Sequence, residues 1–117
     1  MEEQISNQQA FSEKVVWITG ASGGIGEEMA VAFAESGSKV VLSARNEQEL
    51  ERVRDRCFGA GASHESVLVL PLDVVNLEAM PAAVDSVMES YSRIDLLINN
   101  AGVGVRDFCT DVRLDLY

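Results

Sequence analysis

The chain is poor in the residues that build metal centres and crosslinks. Its 117 residues include one histidine, His64, and two cysteines, Cys57 and Cys109, far apart in sequence. Such a scattered set cannot surround a metal ion, so no metal site is expected and His64 reads as a surface-loop residue. No apolar run approaches the roughly 20 residues of a membrane span. The opening Met1-Glu2-Glu3-Gln4 has neither the basic nor the apolar region of a secretory signal. The cysteines are therefore expected to be free thiols in a reducing compartment. Positive charge is also scarce: nine Lys and Arg stand against nineteen Asp and Glu, a net charge of −10. That balance leaves no basic face for nucleic acid. A small anionic ligand stays compatible with it, because such a ligand responds to the local field of a helix end more than to global charge.

What is present is apolar material in a regular order. Hydrophobic residues make up 47% of the chain, ample for one domain or part of one. Met1 to Ser12 is polar and reads as a mobile leader, with residues 13–117 as the structured part. Val15-Val16-Trp17-Ile18 is a continuous apolar run of the kind that suits a parallel strand covered on both faces. Ile25, Met29, Ala30, Phe33 and Ala34 then recur at helical spacing, and Gly37 follows as a helix stop. Glu27 and Glu28 fall outside that stripe, near the positive helix end. Lys39 to Ala44 reads as a second strand. Asn46 is placed to cap a helix whose apolar face is Leu50, Val53 and Cys57, with Glu47, Glu49, Glu51, Arg52, Arg54 and Asp55 solvated. Gly59 to Ser63 reads as a flexible loop, Val67 to Leu70 as a third strand, and Pro71 as its exit. Pro81 suits an early position in a third helix lined by Val84, Val87, Met88 and Tyr91. Leu96-Leu97-Ile98 reads as a fourth strand. Alternating strands and helices predict an α/β, Rossmann-type, doubly wound parallel sheet with strand order 3-2-1-4.

The chemistry lies where these strands end. Thr19-Gly20-Ala21-Ser22-Gly23-Gly24-Ile25-Gly26 joins the first strand to the first helix. Gly20 allows a sharp turn, Gly24 allows a phosphate to approach the backbone, and Gly26 allows close helix packing. The helix start aims free N–H groups and a positive dipole end at the same place. The loop is therefore a candidate pyrophosphate cradle, with a plain chain reversal as the alternative. About 20 residues further on, where an NAD-type site places a carboxylate for the ribose 2′-OH, this chain has Ala44, Arg45 and Asn46. A small residue followed by a guanidinium suits a 2′-phosphate, which favours NADP(H) over NAD(H). Asp73, after the third strand at the carboxyl edge of the sheet, is placed to accept a bond from an adenine amino group, with an ordinary turn aspartate as the alternative. Asn99-Asn100-Ala101-Gly102 ends the fourth strand. There an asparagine can tie strand ends together or meet a ribose, and Ala101 and Gly102 leave space for a ring.

These motifs, in this order, resemble the first half of a short-chain dehydrogenase/reductase. Thr19 to Gly26 is similar to that family's Thr-Gly-x-x-x-Gly-x-Gly, Asn99 to Gly102 to its Asn-Asn-Ala-Gly, Ala44-Arg45 to its NADP-preferring variant, and Asp73-Val74 to its adenine-contacting pair. Asp95 resembles an acidic residue that the family uses structurally. The stretches Val15 to Ile18, Leu42 to Arg45 and Phe108 to Asp111 further resemble the dehydrogenase/reductase member 7 branch. The resemblance implies hydride transfer between NADPH and a small carbonyl or alcohol, helped by an Asn, a Ser and a Tyr-x-x-x-Lys pair. The branch implies lipophilic carbonyls such as steroids or retinoids.

Those catalytic residues have no counterpart in this chain. The only lysines are Lys14 and Lys39, Tyr91 is followed four residues later by Asp95, and Tyr117 is the last residue. No catalytic residue is therefore assigned, and Ser22 and Ser43 are read as cofactor positions. The expectation is an NADP(H)-binding N-terminal fragment of an oxidoreductase, without turnover of its own and able to form homo-oligomers only with the missing half. The alternative is a non-catalytic short isoform that binds nucleotide or a partner. The chain alone points to the cytoplasm, whereas the branch resemblance implies attachment to the endoplasmic-reticulum membrane through an apolar N-terminal segment that these residues do not contain.

Overall fold

The computed structural model describes residues 13–73 and 76–100. The expected leader, Val74, Ala101, Gly102 and Cys109 lie outside them. The elements run β1 (Val15–Thr19), α1 (Gly24–Glu35), β2 (Lys39–Ser43), α2 (Glu47–Gly59), β3 (Val67–Val69), α3 (Met80–Tyr91) and β4 (Leu96–Asn99). Short 3₁₀ turns at His64–Ser66 and Leu77–Ala79 precede β3 and α3. The sheet has four strands in the order β3-β2-β1-β4, and every pairing is parallel. This is the expected doubly wound order.

All five residues of β1 are buried, because alternate side chains enter two different cores. Val16 and Ile18 pack with Val40, Leu42, Ala30, Ala34, Leu50, Val53 and Cys57, on the side of α1 and α2. Val15 and Trp17 pack with Val41, Leu72, Ala83, Val87 and Ile94, on the side of α3. Each fully buried aliphatic or aromatic side chain contributes about 1.5–3 kcal/mol, so the central strand is sealed on both faces. Trp17 also brings a polar atom inside. Its indole N–H donates to the Ser43 hydroxyl at 2.8 Å, which satisfies both groups where water cannot reach.

The helix ends follow from local chemistry. Gly37 takes φ 90, and the N–H groups of Gly37 and Ser38 donate to the carbonyls of Ala34 and Phe33. This paired closure is what a glycine just past a helix supplies. Asn46 caps α2 as expected, its side chain accepting the Glu49 N–H at 3.2 Å. At the far end of the sheet, Asp95 accepts the Val15 N–H at 2.8 Å and pairs with Arg93 at 2.6 Å, tying β1 to the entry of β4.

Several details differ from the sequence reading. Ile25, at the start of α1, is 55% exposed and does not join the α1 core stripe. Met88 is also exposed; the inward face of α3 centres on Ala83 and Val87. Gly59 closes α2 rather than opening the loop. Arg52 is exposed as expected, but α1 and α2 lie side by side and bring it into an ion pair with the buried Glu27.

Candidate functional site

The site forms where the carboxyl ends of the strands line up. β1 and β2 end in register at Thr19 and Ser43, and β1 and β4 at Thr19 and Asn99. Backbone bonds continue the alignment past the strands. Ala21 N–H donates to the Ser43 carbonyl at 3.1 Å, and Leu72 N–H donates to the Ala44 carbonyl at 2.9 Å. The glycine loop, Ala44 and the Leu72-Asp73 segment thus share one edge.

The other flank is fixed by Thr19 and Asn100. The Thr19 hydroxyl accepts the Asn100 N–H at 3.0 Å and lies 3.0 Å from Asn99 Oδ1. The Asn100 side chain then donates to the Gly20 carbonyl at 3.3 Å. Asn100 therefore braces the glycine loop from the neighbouring strand. Thr19 is a structural member of the site that the motif reading left unassigned. Its signal was available, since a hydroxyl at a strand end faces an asparagine pair.

The glycines of the loop serve different needs. Gly20 turns at φ 65. Gly23 is extended and begins α1 with no side-chain cap. Gly24 takes φ +57, and a Cβ there would meet nothing within 4 Å. That open space above an uncapped helix start fits a ligand phosphate, since the first helical N–H groups lack intrahelical partners. Gly26 is tight, as close helix packing requires. A Cβ there would strike the Gly20 carbonyl oxygen and come within 2.8 Å of Asn100 Nδ2, so the helix start lies against the residues that directly follow β1 and β4.

Two arginines of α2 meet the first turn of α1, and one of them reaches the loop. Glu27, buried in the first turn of α1, accepts from Arg52 at 3.0 Å and from Arg56 at 2.5 Å. Hydrogen bonds from Arg52 and Arg56 outweigh burial and hold the Glu27 carboxyl at about 2. Arg52 also donates to Glu49 at 2.9 Å and to the Ser22 carbonyl at 3.2 Å. The sequence reading missed this cluster, because its partners lie far apart along the chain.

Of the residues expected to meet a nucleotide, Gly20, Ser22, Gly23, Gly24, Ile25, Gly26, Ala44, Arg45, Asn46, Asp73 and Asn100 all lie at this edge. Arg45 and Asn46 are exposed, and Arg45 makes no ion pair among the described residues. Ser43 is fully buried and engaged by Trp17, so the reading of it as a cofactor position is corrected. The lysines and Tyr91 are placed elsewhere. Lys14 and Lys39 are joined by a backbone bond where β1 and β2 begin, at the opposite edge. Tyr91 donates to the Glu65 carbonyl at 2.9 Å, and burial pushes its hydroxyl up to about 12. Cys57 is a free, buried thiol. No helix among the described residues is long and apolar enough to cross a membrane.

Comparison with known proteins agrees with this geometry. The short chain dehydrogenase family model matches residues 14–115. The human dehydrogenase/reductase SDR family member 7 is 47% identical over 108 residues, covering 92% of this chain and 32% of the relative. The chain thus spans about a third of that relative's length. A metagenomic short-chain oxidoreductase in complex with NADP superposes with a TM-score of 0.74 at 35% identity, over 81% of this chain and 42% of the other. A short chain dehydrogenase/reductase from Burkholderia phymatum in complex with NAD gives 0.72 at 39%, over 80% and 32%. A glycine loop braced between parallel strand ends, together with a family match over most of its length, means that this chain belongs to the short chain dehydrogenase family.

Proposed function

We infer that this sequence forms the nucleotide-binding part of an NADP(H)-dependent oxidoreductase acting on a small carbonyl or alcohol. The observation that carries the reading is the strand-end edge itself. It combines an open, uncapped helix start behind Gly24 with an exposed Arg45 where a carboxylate would favour NAD. In this reading Gly20, Ser22, Gly23, Gly24, Ile25 and Gly26 surround the pyrophosphate. Arg45, with Ala44 and Asn46 beside it, takes the 2′-phosphate. Asp73 and Val74 meet the adenine, and Asn100, Ala101 and Gly102 the second ribose.

When bound, the nicotinamide supplies the hydride. This chain's own residues bind and orient the nucleotide, and no acid or base is assigned to the reaction among the described residues. No substrate-binding or proton-transfer role is assigned among the described residues, and the chain spans about a third of its curated relative's length. Attachment to a membrane and self-association would belong to the whole protein as well.

The test is a fluorescence titration with NADPH and NADH, on the wild type and on Arg45→Ala. A guanidinium on a phosphate is worth about 1.5–3 kcal/mol, so the preference for NADPH should be roughly tenfold or more and should vanish in the variant. Equal affinity of the wild type for both nucleotides would refute the NADP assignment. Binding of neither would refute the nucleotide site.

A further inference from the structure

We propose that Arg52 is a positioning residue for the phosphate loop: it locks the Ser22–Gly23 peptide in one orientation from below. The proposal rests on the nucleotide reading above and assigns a task to a side chain that would not itself touch the nucleotide.

The geometry commits every guanidinium nitrogen of Arg52. Nε donates to Glu49 at 2.9 Å, Nη1 to Glu27 at 3.0 Å, and Nη2 to both Glu27 at 3.0 Å and the Ser22 carbonyl at 3.2 Å. Two carboxylates on different helices hold the guanidinium plane, and the plane holds the carbonyl. Glu49 is fixed in turn at the capped start of α2, where its N–H reaches Asn46. The clamp therefore spans from the Asn46 cap to the loop after β1.

The Ser22–Gly23 peptide needs such a restraint. It precedes two glycines, Gly23 extended and Gly24 at φ +57, with open space where their Cβ atoms would be. Glycines populate both signs of φ readily, so the peptide could rotate at small cost. A trans peptide is planar, with its carbonyl and its N–H pointing in opposite directions. Holding the Ser22 carbonyl on Arg52 therefore aims the Gly23 N–H away from α2. Arg56 provides an internal control. It shares Glu27 at 2.5 Å and also pairs with Glu28 at 3.0 Å, yet makes no bond to the loop. Losing Arg56 unbalances the charge of Glu27 as losing Arg52 does, but it leaves the peptide restrained.

The experiment uses the full protein carrying this sequence, as wild type, Arg52→Gln and Arg56→Gln. Two probes are titrated: NADPH, and adenosine 2′-monophosphate, which has no pyrophosphate. Arg52→Gln should weaken NADPH about tenfold, the loss expected for a charge-assisted hydrogen bond, while adenosine 2′-monophosphate changes by less than about twofold. Arg56→Gln should leave both within about twofold. Equal losses of NADPH affinity in the two variants would overturn the proposal. So would an Arg52→Gln that weakens both probes alike, because a general loosening of the domain does that. Should Arg52→Gln fail to fold, Arg52→Lys keeps the charge beside Glu27 but loses the planar fork, and is read the same way. A wild type that binds neither probe would instead remove the nucleotide reading, and the proposal with it.

Discussion

Replacing Gly26 with alanine separates two explanations of this loop. Helix propensity alone predicts a gain, because alanine is favoured over glycine in a helix by about 1 kcal/mol. That gain is reduced at this position, since Gly26 lies in the first turn of α1. Against it stands the added methyl, which would overlap the Gly20 carbonyl oxygen and lie 2.9 Å from the Gly20 carbon. These neighbours are backbone and cannot rotate away. Forced overpacking of this kind costs about 1–3 kcal/mol. Moving the Gly20 carbonyl also breaks its 3.3 Å bond from Asn100, for a further loss of about 0.5–1.5 kcal/mol. The net expectation is a destabilisation of about 0.5–4.5 kcal/mol, measured by urea unfolding, accompanied by weaker NADPH binding. Gly23→Ala is the comparison. Its backbone is extended and its surroundings are open, so it should stay within about 1 kcal/mol of wild type. A Gly26→Ala protein as stable as wild type, or more so, would refute the steric account and leave propensity in charge.

Acid should expose the Glu27 pair. Its carboxyl is held at about 2, below the usual 4.5, so its stabilisation is complete above pH 4.5 and is lost as pH falls toward 2. Glu27→Gln should flatten the pH dependence of stability across that window. At neutral pH it should cost between the roughly 0–1 kcal/mol of an exposed pair and the roughly 3–5 of a buried one. An unchanged acid-unfolding slope would contradict this. Burial pushes the Cys57 thiol up to about 11, so in a Cys109→Ser background it should resist alkylation at pH 8 and react fully in denaturant. Rapid labelling of the folded protein would place Cys57 outside the core. Asp95→Ala removes the acceptor of the Val15 N–H and the partner of Arg93, and should cost about 1–3 kcal/mol by urea unfolding.

The fold was legible because the strands announce themselves twice. Val15 to Ile18 is apolar at every position, which only a strand covered on both faces requires, and the structure puts its alternate residues into two cores. The motifs then fixed direction, since the glycine loop and Asn100 had to meet at one edge for either to make sense. Helix faces were legible only in their centres. Ala30, Ala34, Leu50 and Val53 are buried as periodicity demands, but Ile25 and Met88 belong to the same periods and are exposed. A period gives the direction in which a side chain points. It does not say how far the neighbouring element extends, and among the described residues Ile25 and Met88 are left exposed.

Glu27 shows the deeper limit, and why it matters for the site. On a helical wheel it is a polar residue beside a positive helix end, a complete and favourable explanation that asks for nothing more. Its actual partners stand 25 and 29 residues away, on a helix whose own wheel also places them outside the core. Only the packing of α1 against α2 turns two solvent faces into one interface. The sequence therefore shows the loop and strand-end residues proposed above for the nucleotide, because a ligand imposes spacing on the chain. It hides the groups that hold those in place, because nothing but the tertiary contact relates Arg52 to Ser22. Recognition and support have different visibility in this family member. A variant that spares every motif residue but replaces Arg52 of α2 should still disturb the cradle.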